Sequence, residues 1–133
     1  MKIFKKIVIS LAMAMAMSVA AISSTAFAAE KKDPNAVVRE AAEGTIAKIE
    51  EAISLIEKNG SKEDTLTAIA EARQLQKEFR YELTERLRQR ANDKLRVARE
   101  AFEAGNTKEA EETLKASLAQ FKEMKVTYDA GHK

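Results

Sequence analysis

Between Ser61 and Ala104 an apolar residue recurs every three or four positions: Leu66, Ile69, Ala72, Leu75, Phe79, Leu83, Leu87, Ala91, Leu95, Ala98 and Phe102. These steps average about 3.6, the period of a straight α-helix, with no slip of phase. Neither Gly nor Pro, the strongest helix breakers, falls in the stretch. Unbroken, such a helix would be roughly 66 Å long at about 1.5 Å per residue. Bends are allowed at Phe79–Thr84 and at Ala91-Asn92-Asp93, where Asn92 can cap a new helix. The unbroken phase favours the rod.

The same period predicts a helix on either side. Asp33-Pro34 is a good helix start, because Asp caps exposed N–H groups and Pro suits the first helical position. The first helix is expected to run to about Lys58, with Val38, Ala42, Ile46, Ile49, Ile53 and Ile56 on one side. Gly44 interrupts it at a cost of about 1 kcal/mol relative to Ala, which suggests a close backbone neighbour or loosely held first turns. Asn59-Gly60 ends it, since both residues accept the left-handed conformation of a helix C-terminus. Ser61 with Asp64 caps the central stretch. Gly105-Asn106 repeats the corner, with Glu109 in the reciprocal position to Asn106. A last helix carries Ala110, Leu114, Ser117, Phe121, Met124 and Tyr128 on one side, and Ala130 to Lys133 is expected to fray. The fold expected is all-α: helical hairpins in an up-down bundle, with a long central helix over about 61–104 that is continuous or bent near 79–93.

Residues 1–28 read as a targeting segment. Lys2, Lys5 and Lys6 precede an apolar run from Ile7 to Ile22, and Ala26-Phe27-Ala28 supplies the small residues of a cleavage site. Cleavage after Ala28 would leave about 105 residues, enough for one domain with a modest core. The product would be soluble, periplasmic or secreted, and off the membrane after cleavage. With it go three of the 23 basic residues and no acid, so 20 basic residues (23 less three) face 21 acidic ones. A nearly neutral exported protein has no general electrostatic reason to seek nucleic acid. The chain has no Cys, so stability falls to apolar helix packing.

The inventory for catalysis is thin. The one His, His132, lies beside the C-terminus, and no glycine-rich phosphate loop or Glu-x-x-His pair is present. Adjacent carboxylates such as Glu50-Glu51 point to different sides of a helix and read as solvated charge. No catalytic, cofactor-binding or metal-ligating set, and no cofactor, is expected.

The charges beside the central stripe suggest an interaction surface. One flank carries Glu78 and Glu82, then Arg86 and Arg90, so two antiparallel rods crossing near Thr84 would pair Glu78 with Arg90 and Glu82 with Arg86. Two-layer hairpins on a rod leave apolar surface for a partner to cover. The candidate surface is therefore Phe79, Leu83 and Leu87, flanked by Glu78, Glu82, Arg86 and Arg90, and the partner a second copy (a homodimer) or another envelope protein. A closed chain would instead bury Leu83, so that Leu83→Asp unfolds it. The opposite flank (Arg73, Lys77, Arg80, Arg88, Arg96, Arg99) is basic throughout and needs acids from the outer helices to cover it.

The hairpin around Ile56-Glu57-Lys58 and that from Gly105 to Tyr128 resemble those of soluble periplasmic b-type cytochromes and of small periplasmic metal-binding four-helix proteins. The resemblance implies an exported four-helix protein. It does not carry the haem ligands over, because the position around Ile46 is apolar and Asp129 stands beside Tyr128 where the last helix would offer His. The metal-binding proteins are His-rich, and this chain is not. A haem or metal carrier with a different ligand set, for which Met124 and His132 are the soft donors, is the first alternative function. Ala98 to Ala110 resembles the turn of a tetratricopeptide hairpin. Leu66-Thr67 and Leu83-Thr84 are similar to a motif of exported helical chaperones, without the Gln that follows it there, so a chaperone-like stress protein is a second alternative.

Overall fold

Four α-helices and two single 3₁₀ turns account for nearly all of the chain described by the computed structural model, which covers residues 33–132. The targeting segment read at 1–28 lies outside the described residues. Helix α1 spans Pro34–Glu57, α2 Lys62–Leu75, α3 Glu85–Glu103 and α4 Thr107–Ala130; the 3₁₀ turns are Gln76–Glu78 and Glu82–Thr84. Consecutive helices form two hairpins, α1–α2 and α3–α4. Helix α1 also packs on α4, and α2 touches α3 sparsely, so contacts run round all four. From Pro34 onward they form one compact unit.

Both hairpin corners close by the same backbone device. Asn59 takes a left-handed conformation (φ 55°), its N–H reaching Ile56 O at 3.1 Å and that of Gly60 reaching Leu55 O at 2.7 Å. At the second corner Gly105 is left-handed (φ 89°), with Gly105 N–H on Phe102 O and Asn106 N–H on Ala101 O at 2.8 Å. Each pair satisfies carbonyls that the ending helix leaves without partners. Ser61 Oγ accepts the Asp64 N–H at 3.1 Å, as the sequence predicts, and Glu63 and Asp64 favour the positive end of α2. Asn106 makes no side-chain cap, contrary to expectation, so the left-handed Gly105 sets that corner.

The continuous rod is overturned. The helix stops at Leu75, and the bend falls in the first of the two places the sequence allowed, whereas Asn92 lies inside α3. Gln76 begins the corner: its carboxamide donates to Arg73 O at 2.9 Å and is itself buried. Phe79 then takes φ −85°, ψ 74°, and Tyr81 is fully extended (φ −152°, ψ 120°). Phe, Tyr and Thr are only tenths of a kcal/mol poorer than Leu in a helix, so local preference does not break it. Burial does. Phe79 is fully buried with its ring edge-on to Tyr128 at 6.3 Å, and full burial of such a side chain gains about 1.5–3 kcal/mol. Folding back also lets the stripe cover itself.

Where the helices continue, the predicted core holds. Ala42, Ile49, Ile53 and Ile56 of α1 are buried, Val38 and Ile46 are half-buried against them, and all six stripe residues of α4 are buried. The hydroxyl of Ser117 donates across to Ala91 O at 2.9 Å and sets the register of α3 against α4. At Gly44 the close neighbour is a side chain: an added Cβ would meet Leu75 Cδ1 of α2 at 3.1 Å. The tail is also better held than expected, because His132 stacks on Tyr128 at 3.9 Å and hydrogen-bonds Tyr128 O. Tyr128 in turn donates to Asn35 Oδ1 at 2.8 Å, tying the end of α4 to the start of α1.

Candidate interaction surface

The bend redistributes the residues that sequence reasoning grouped together. Phe79 is not a surface residue: it belongs to the core, and its place in the interaction surface is withdrawn. Glu78 sits in the first 3₁₀ turn, before the extended Tyr81, so it no longer shares a helical flank with Arg86 and Arg90 of α3. The rod-to-rod pairing of Glu78 with Arg90 and Glu82 with Arg86 loses its basis. Leu83 is 76% exposed, and Leu87 is half-buried against the core. The nonhelical step through residues 79–81 shifts the phase, so that Thr84 turns inward in place of Leu83. Leu83→Asp is therefore expected to meet solvent and leave the chain folded, the reverse of the expectation for a closed molecule.

Leu83, Glu82, Arg86 and Arg90 remain together at the N-terminal end of α3. Beside them the structure adds a groove of about 530 Å³ between α3 and α4, lined by Arg90, Asp93, Lys94 and Val97 on one side and by Glu112, Thr113 and Ala116 on the other. Its floor is apolar and its rim carries both signs of charge. The 3₁₀ turn Glu82–Thr84, which carries Leu83, touches α4, the helix that carries Val126. Val97 and Val126 are 37% and 68% exposed, so the three large apolar residues most exposed among those described all belong to the α3–α4 hairpin and its lead-in. Val97, Ala116 and Val126 escape sequence analysis because they lie off the core stripe, where isolated apolar residues carry no periodic signal. Only the apposition of α3 with α4 brings Val97 and Ala116 to one groove.

The electrostatics differ from the pattern expected of a basic flank covered by the outer helices. The carboxylates of α1 go elsewhere: Glu57 pairs with Lys115 and Glu50 with Lys122 of α4, both at 3.4 Å. Lys48 of α1 pairs with Glu71 of α2 at 2.8 Å and with Glu51, which hold its ammonium above the ordinary lysine range. On α3, Arg88 pairs with Glu85 and Arg96 with Glu100 of the same helix. Exposed pairs of this kind are worth about 0–1 kcal/mol each. The Arg88–Glu85 pair is the more sheltered, and Arg88 also donates to Gln76 Oε1 at 2.7 Å, fastening α3 to the corner. That guanidinium pulls the Glu85 carboxyl below its ordinary value against the opposing effect of burial. Among the described residues no three His, Cys, Asp or Glu side chains come close enough to share a metal ion.

No family model, curated protein or solved structure matches the chain.

Proposed function

We propose that the chain is an exported, non-enzymatic helical protein that works as an interaction module, presenting the outer face of the α3–α4 hairpin to a second copy of itself or to another protein of the cell envelope. One observation carries the reading: Leu83, Val97 and Val126, the large apolar residues most exposed among those described, lie on this hairpin and its lead-in, and Val97 lines a groove with a charged rim. Apolar patches rimmed by polar residues are the usual mark of protein contact sites. Export belongs to the proposal through Lys2, Lys5, Lys6, the apolar run and Ala26-Phe27-Ala28, together with the resemblance to small exported four-helix proteins.

Sedimentation of the purified protein at micromolar concentration, beside Leu83→Ser/Val126→Ser, tests the surface. The wild type is expected to associate, or to be crosslinked in the envelope to one partner through a photoreactive residue at position 126. The double variant is expected to lose that contact with its helix content unchanged. Equal behaviour of the two proteins in both assays refutes the proposal. N-terminal sequencing of the exported product should begin at Ala29.

A further inference from the structure

The sparse contact between α2 and α3 has a chemical cause, which suggests a site on a different face of the molecule. Long polar side chains meet there where apolar ones meet elsewhere. They enclose a cleft of about 270 Å³, with Arg73, Gln74 and Lys77 on the side of α2 and its following turn, and Asn92 and Arg99 on α3. No carboxylate is among its lining residues. The floor is a fixed polar network: Gln76 is 2% exposed, donates to Arg73 O and accepts from Arg88.

The three cations around this cleft are poorly satisfied by the protein. Among the described residues Arg73 makes one long hydrogen bond, from Nε to Asn92 Oδ1 at 3.4 Å, and no ion pair. Lys77 has no hydrogen-bond or ion-pair partner among the described residues. Arg99 makes one long ion pair, to Glu103 at 4.0 Å, and its buried Nε has no hydrogen bond among the described residues. Two guanidinium groups, an ammonium and carboxamide donors in one small cleft match a group that is all acceptor and carries multiple negative charge. The volume lies just below the roughly 300–1,000 Å³ of sites that enclose drug-sized molecules, which suits a compact oxyanion.

We propose that the α2–α3 cleft binds a small phosphate-class oxyanion, free or as the terminal group of a small phosphate ester, held by Arg73, Lys77 and Arg99. This does not rest on the interaction surface, and either can fail alone. Inorganic phosphate and, as a second arm, a sugar phosphate would be titrated at constant ionic strength, with side-chain ¹H–¹⁵N resonances of the arginines followed by NMR. Saturable shifts at Arg73 and Arg99 Nε are expected. Arg73→Gln/Arg99→Gln should weaken binding at least tenfold, and Lys77→Gln, at an exposed position that folding does not need, should weaken it less. Lys108→Gln/Lys122→Gln removes the same charge from α4 and should leave affinity unchanged. A response to phosphate alone assigns the free anion, and one to the sugar phosphate alone assigns the ester. Failure of both anions to saturate, or equal weakening by the α4 variant, overturns the proposal.

Discussion

Thr45 shows how a single hydroxyl can be at odds with the position it occupies. The residue is fully buried on α1 and its Oγ1 has no hydrogen-bond partner. A buried unsatisfied hydroxyl costs about 1–3 kcal/mol, and Val has nearly the same shape without it. Thr45→Val is therefore expected to raise stability by about 1 kcal/mol, seen as a higher urea midpoint at unchanged slope. Glu85 gives a pH dependence of definite sign. Its carboxyl is depressed by Arg88, so its contribution is present above the carboxylate's unfolded-state value and is lost as pH falls through the lower folded value. Glu85→Gln should flatten the acid limb of the unfolding midpoint as pH falls through and below the ordinary glutamate range, relative to wild type. Such features are not legible in sequence, because a Thr or a Glu in a helix looks alike whether or not its partner is present.

The corner from Gln76 to Thr84 is the element on which the architecture turns. Local sequence supports helix through it, and burial of Phe79 against Tyr128 opposes that. Phe79→Ala should cost about 3–5 kcal/mol, as other buried aromatic truncations do. Leu83→Asp, four residues on, should change stability by less than about 0.5 kcal/mol, as surface changes do. Thermal or urea unfolding of the two variants checks the pair, and a large loss from Leu83→Asp would mean that the helix phase continues through the corner. The two hairpin turns were legible at Asn59-Gly60 and Gly105-Asn106, because left-handed residues there answer a fixed backbone requirement. The break at 76–84 was legible only as one of two options, since no Gly, Pro or effective cap marks it.

Across the described residues, four helices pack around one core, and the large apolar residues left most exposed lie on α3, α4 and the turn before α3. Contact through the outer face of α3–α4 carries charges of both signs at its rim (Arg90, Asp93, Lys94, Glu112), so its association rate should fall as salt rises from about 50 to 500 mM, with a smaller change in dissociation. Stopped-flow or surface-binding kinetics would resolve the two rates. An association rate indifferent to salt would place the contact elsewhere. Of the surface read from the central stripe, Leu83, Glu82, Arg86 and Arg90 stay exposed at the N-terminal end of α3, while Phe79 and Glu78 leave it. The sequence by itself determined the all-α class, both hairpin turns and the inward faces of α1 and α4, because helix period and turn chemistry are local properties. Tertiary structure alone decided that the central stretch bends, that Thr84 and not Leu83 turns inward, and which exposed residues share a face. Those outcomes depend on which surfaces can cover one another, and a pattern along one chain does not contain that distance information.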